Sequence, residues 1–155
     1  MIRSLEQSVA SVSFDQHNNL IAGGWDGQIR KWNSDGDLLW SEELPDRISE
    51  IVFHDNQIII TSGLHIVNLN AETGEINWQH PLEGSADSVV VENDEIYVTS
   101  SVYDIEHNDF LESAIWKFSL KGEQKWVLRM DERPWFILSH EAKIIVGLGR
   151  PISGW

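Results

Sequence analysis

A chain of 155 residues with 41% hydrophobic and 23% charged residues can bury one continuous core and carries no compositional mark of disorder. Its 25 acidic against 11 basic side chains give a formal net charge of −14, which repels phosphate backbones and anionic lipid and so disfavours a nucleic-acid or membrane-surface role; a solubilising surface is the plain reading of that charge. Cysteine is absent, which excludes disulfides and thiolate metal sites, and the N-terminus has no apolar run of signal-peptide length, so the expected compartment is the cytoplasm.

In chain order, short apolar runs of period two alternate with turn signals. The first full unit spans residues 9–42, with strands expected near 9–14, 20–24, 28–33 and 38–42 and turns at Gly23-Gly24-Trp25-Asp26-Gly27 and Asp35-Gly36-Asp37. Pro45 marks the crossing to a second unit, 48–80, whose most apolar strand is Ile58-Ile59-Ile60. A third unit, 87–128, has strands near 88–91, 96–101, 114–118 and 124–128. The fourth, 134–155, begins at Pro134 and holds two strands, 135–139 and 143–148, before the repeat stops at its midpoint.

One ruler fits these units. Val12, Ile51, Val89 and Ile137 are spaced by 39, 38 and 48 residues, as are Leu5, Leu44, Leu82 and Met130, and Ile21, Ile60, Val98 and Val146. Gly36, Gly74 and Gly122 each precede a Trp by four residues: Trp40, Trp78 and Trp126, expected as equivalent packing residues. The same ruler aligns residues 1–7 with the fourth strand of a unit whose other strands are missing, an orphan that needs a sheet to join. A four-stranded period of about forty residues is the mark of a β-propeller blade. The expected fold is therefore all-β, a single propeller domain over 1–155 with three complete blades and a partial fourth.

Residues 22–32, Ala-Gly-Gly-Trp-Asp-Gly-Gln-Ile-Arg-Lys-Trp, resemble the centre of a WD-repeat, with Asp26-Gly27 in the tight turn and Trp32 on the third strand. Asn70-Ala71-Glu72-Thr73-Gly74-Glu75-Ile76-Asn77-Trp78 resembles the quinoprotein (PQQ-like) propeller repeat, and this is the favoured resemblance because the Gly-x-x-x-Trp ending occurs three times. The resemblance implies a propeller fold and is poor for function, since both families host many unrelated activities. It raises one enzyme hypothesis, a fragment or subunit of a dehydrogenase using pyrroloquinoline quinone. Those enzymes need far more chain around the funnel, and many use a vicinal disulfide, so no cofactor is expected here and the reading is non-enzymatic.

The ten extra residues of the third unit lie in its link from second to third strand. Because antiparallel strands alternate in direction, this insertion shares a face with the blade crossings, the face where propellers usually meet ligands or partners. Residues 102–112 carry the candidate partner-binding set: Tyr103, Asp104, Glu106, His107, Asp109, Phe110 and Leu111. The acidic residues form a solvated loop or, with His107, could hold a cation, although the spacing matches no calcium loop; no metal site is assigned. Phe110 and Leu111 either tuck onto the propeller or await a partner. The insertion is expected to be a mobile loop. The six histidines do not cluster, and His54 and His140 occupy near-equivalent turn positions.

An arc of three and a half blades leaves an open end. Four blades could close within one chain. The favoured expectation is a homodimer forming one ring of seven or eight blades, each broken blade completed by residues 1–7 of the partner, with assembly into a longer propeller as the alternative.

Overall fold

Residues 2–149 are described by the computed structural model. Apolar residues at alternate positions, bounded by Gly, Asn and Asp turns, fold into fourteen antiparallel strands, and the described residues contain no helix. Strands β1 (Val9–Phe14), β2 (Leu20–Gly24), β3 (Gln28–Trp32) and β4 (Leu38–Glu43) make the first sheet; β5 (Ile48–His54), β6 (Gln57–Ser62), β7 (His65–Asn70) and β8 (Ile76–Pro81) the second. The third comprises β9 (Ser85–Glu92), β10 (Glu95–Asp104), β11 (Asp109–Ser119) and β12 (Gln124–Met130), and β13 (Arg133–His140) pairs with β14 (Lys143–Gly149) as half a blade. Each sheet is a meander in sequence order, the blade arrangement of a β-propeller. The second half of the fourth unit, residues 150–155, lies outside the described residues.

Each sheet has a leading face, turned to the next blade, and a trailing face, turned to the one before. The leading residues Ile21, Ile29 and Trp40 form one core cluster with the trailing residues Ile51, Ile58, Ile60, Val67 and Leu69 of the second blade. Leading Ile59 and Ile66, backed by Val52 and Trp78, form the next with Val89, Ile96, Val98, Trp116 and Phe118. Burying each such aliphatic side chain is worth roughly 1.5–3 kcal/mol, so the stacking of blades rather than the pairing inside them supplies most of the stability.

The Gly-x-x-x-Trp ending links neighbours directly. Gly74 and Gly122 sit at φ 79° and 86° in the turns from third to fourth strand. A Cβ on Gly74 would stand 2.6 Å from the Trp40 ring, and one on Gly122 would stand 2.7 Å from Trp78. Trp40 Nε1 donates to Ala71 O (3.1 Å) and Trp78 Nε1 to Leu120 O (2.9 Å), so each indole caps the turn of the following blade. Trp126 has no such turn ahead of it among the described residues and is 42% exposed, against 8% for Trp40. Equivalence of the three tryptophans therefore holds in register but not in burial.

One further expectation is corrected. The structure pairs Val12 with Ala22, where Ile51 pairs with Ile60, Val89 with Val98 and Ile137 with Val146, so Ala22 and not Ile21 takes the equivalent place. The first turn, residues 15–19, is one residue longer than its counterparts and is organised by Asp15, whose carboxylate accepts from His17 N (2.8 Å), Asn19 N (2.9 Å) and Asn19 Nδ2 (2.8 Å). A one-residue slip moves a side chain to the other face of the sheet, which is why Ile21 packs forward on the second blade. Residues 2–7, expected as an outer strand that needs another sheet to join, are irregular within this chain, and among the described residues no third strand stands beside them.

Candidate functional site

The crossings and the links from second to third strand do lie together on one face. Leu44 N donates to Gly27 O (2.9 Å), Gly63 N to Arg47 O (2.9 Å) and Ala86 N to Gly63 O (2.7 Å), so the first two crossings are bonded to adjacent links, and the Arg47 guanidinium lies 4.8 Å from the Trp25 ring centre.

Residues 102–112 are not a mobile loop but a ribbon. β10 and β11 run on past their neighbours, with Val102 opposite Glu112, Tyr103 opposite Phe110 and Asp104 opposite Asp109, and a bulge between Val102 and Tyr103. Their β-forming residues account for this, because Tyr103 and Phe110 meet edge to face with ring centres 5.1 Å apart, a stabilising cross-strand pair. The turn is closed by Asp104, which accepts from Glu106 N (2.8 Å) and His107 N (3.3 Å) and bonds His107 Nδ1 (2.8 Å); that imidazole, followed by the two backbone donors, holds the Asp104 carboxyl below its ordinary range. Tyr103 Oη also donates to Asn108 Oδ1 across the turn.

Of the two apolar residues singled out in the sequence, Phe110 tucks in and Leu111 does not. The Arg133 guanidinium stacks 3.9 Å from the Phe110 ring centre and 4.5 Å from that of Trp135, and its Nη2 reaches Asp87 Oδ1 at 3.4 Å. Asp87 in turn accepts from Ser101 Oγ (2.6 Å). Leu111, Tyr103 and Ile105 remain exposed, while Glu106 and His107 project into solvent and Asp109 is half-buried. Arg133, Trp135, Asp87 and Ile105 join this surface although no motif in the sequence marks them. Only the ruler, which puts the third-to-fourth crossing beside the insertion, could have hinted at Arg133.

At the base of the ribbon a cleft of about 460 Å³ is lined by Glu83, Val102, Glu112, Ser113, Arg129 and Asp131, among others. Arg129 makes a forked pair with Glu83, Nε to Oε2 at 2.8 Å and Nη2 to Oε1 at 2.5 Å, and this guanidinium holds the exposed Glu83 carboxyl below its ordinary range. Ser113 Oγ is buried there with no hydrogen-bond partner among the described residues.

The opposite face carries the remaining turns. Between the first two blades Lys31 Nζ is buried against Asp15 Oδ2 (3.0 Å) and donates to Ala71 O (2.8 Å). Burial pushes the Asp15 carboxyl up, but the side-chain and backbone donors of Asn19, then Lys31 and the His17 amide, outweigh it and bring it to about 2. His54 Nε2 lies 2.8 Å from Asp94 Oδ1 and 3.7 Å from Asp55 Oδ2 on exposed turns, and His140 closes the corresponding turn of the fourth blade, as their register suggested.

No curated protein matches the sequence. Among solved structures, the computationally designed Ika4 protein superposes with a TM-score of 0.77 at 12% identity, covering 96% of this chain and 89% of its own. BamB from Moraxella catarrhalis gives 0.74 at 13% identity, covering 94% of this chain and 45% of its own; the Neurospora crassa Pan2 WD40 domain gives 0.69 at 13%, covering 92% and 44%. The chain thus spans just under half the length of these last two propellers. A family model described as "Outer membrane protein assembly factor BamB" matches residues 25–150, and the chain belongs to that PQQ-like propeller-repeat family.

Proposed function

We propose that the chain is a non-enzymatic binding and scaffold module, an arc of propeller that presents its crossings and the 102–112 ribbon to a protein partner and completes its ring by self-association. The observation that carries the partner reading is the ribbon. β9 pairs with β10 only as far as Ser101, and β12 with β11 only from Ser113, so residues 102–112 stand clear with both outer edges unpaired. Free main-chain donors and acceptors flanked by exposed Tyr103, Ile105 and Leu111 favour strand addition by an extended segment of another protein. The cleft at the ribbon's base, where Arg129 neutralises Glu83 and leaves Glu112 and Asp131 as its acidic groups beside the unpaired Ser113 hydroxyl, suits a basic or amide side chain of that segment. Three charged pairs on this face are engaged, Arg129 with Glu83, Arg133 with Asp87 and Asp104 with His107, which favours a scaffold over a poised acid and base at those residues.

The test replaces residues 103–111 by Asn-Gly, a two-residue hairpin turn joining Val102 to Glu112. The blade below should persist, with a melting temperature lowered by less than about 4 °C, the equivalent of about 1 kcal/mol in a chain this size. A partner recovered with the intact chain and then purified should bind the shortened one at least about tenfold more weakly, a loss of about 1.4 kcal/mol. Equal affinity would remove the ribbon from the binding surface.

A further inference from the structure

The arc ends in two faces that match each other, and the geometry points to a second copy of this chain as the occupant of both. The inference rests on the self-association reading above and adds how the copies meet: the leading face of β13–β14 packs on the trailing face of β1–β4 in the other copy, start to end, and the same contact repeats across the two-fold axis. Residues 2–7 then lie at the outer rim of the other copy's last blade, and the ring has eight blades.

Register identifies the faces. Ile145 pairs with Leu138 as Ile59 pairs with Val52, so both belong to the leading face. They are 44% and 39% exposed, whereas Ile59 is fully buried by the blade ahead of it. On the trailing side Val12 is 59% exposed, while its equivalents Ile51, Val89 and Ile137 are at most 7% exposed. Inside the chain the same two kinds of surface already pack together in two core clusters, so each open end presents the mate of the other. The ends of a single arc leave these residues in solvent. A two-fold pair covers all of them with two identical contacts, whereas any one-ended contact leaves a face free to add further copies.

The N-terminal segment is already held in the place of a preceding blade's outer strand. Trp25 N donates to Ser8 O (3.0 Å), as Gly63 N does to Arg47 O at the next crossing, and Leu5 lies against Gly24. Asn33 N–Asp37 O and Ser119 N–Glu123 O close equivalent turns, which makes Ser34 the counterpart of Leu120. Leu120 O receives the Trp78 indole of the blade before it; Ser34 O receives Arg3 Nη2 (3.2 Å), which also donates to Asn33 O (3.0 Å). Arg30 fixes the rest, through Ser4 O (3.1 Å) and Glu6 Oε1 (3.0 Å). A segment so anchored on one side and unpaired on the other lacks only the blade in front.

The experiment uses two full-length variants, Val12→Lys and Leu138→Glu, at positions exposed in the single chain, with far-ultraviolet spectra to show that each keeps its sheets. The wild type should run at twice 17.7 kDa by light scattering and each variant alone at 17.7 kDa. An equimolar mixture should return to the doubled mass, because one contact then pairs Lys with Glu and the other is wild type on both sides. Phe14→Lys with Ile145→Glu should behave alike. A dimeric wild type whose variants stay dimeric, or whose mixture stays monomeric, would overturn start-to-end packing while leaving self-association standing; a monomeric wild type would overturn both.

Discussion

Replacing Trp40 by alanine is expected to destabilise the chain by about 3–5 kcal/mol, the range for a buried large aromatic, whereas the same change at Trp126 should cost under about 1 kcal/mol. The comparison belongs in the monomeric Val12→Lys background, where no second copy can cover Trp126. Trp40 is buried over the Gly74 turn and its indole donates to Ala71 O, so truncation opens a cavity between the first two blades and leaves that carbonyl with Lys31 Nζ as its one donor among the described residues. Trp78 makes the same contacts with Gly122 and Leu120 O but is only half-buried, and its loss should fall at about 3 kcal/mol. Trp126 has the same sequence context and no turn ahead of it among the described residues, so only partial packing on Tyr97 is lost, the ring centres there being 6.1 Å apart. Denaturant titrations of the three variants check the order, and equal losses at Trp40 and Trp126 would contradict the account of burial.

The Asp15–Lys31 pair is the second large term. Removing the cation by Lys31→Ala leaves a buried carboxylate facing Ala71 O without its counter-charge, and should cost about 3 kcal/mol at neutral pH. Asp15, its carboxyl pushed up by burial but lowered more by the Asn19 donors and then by Lys31, also sets an acid limit. The folded carboxyl lies at about 2 against 3.8 for the free group, so its stabilisation is complete above about pH 4 and is lost as pH falls towards 2, amounting to about 2 kcal/mol at most. Urea midpoints measured between those limits should fall with acidity in the wild type and fall less steeply in Asp15→Asn. Parallel profiles would show that Asp15 carries no such linkage.

The blades were legible because their markers are local: Gly-x-x-x-Trp is a turn followed by the residue that caps the next turn, and a constant offset along the chain reports a constant offset in space. The slip at Ile21 was hidden because the spacing of similar residues cannot distinguish a turn of five residues from a shorter one when two apolar residues stand side by side. The ribbon was read as a loop because its charges mask the alternation of Val102, Tyr103, Phe110 and Leu111, which shows only when the strands are paired. Arg133 and Asp87 lie 46 positions apart and meet only because two blades stack, a contact that alternation within a strand does not report and that the repeat places only as one crossing beside another. For residues 1–7 register offers an outer-strand place, but residues 2–7 are irregular here, because a strand forms only where another edge is offered.

The central claim is that this arc completes its ring with a second copy of itself. Light scattering on the intact chain at micromolar concentration, over a dilution series, tests it most directly. The account predicts a single species of twice 17.7 kDa throughout, since core-like faces at both ends hold the copies together. A compact, cooperatively folding species of 17.7 kDa would contradict it.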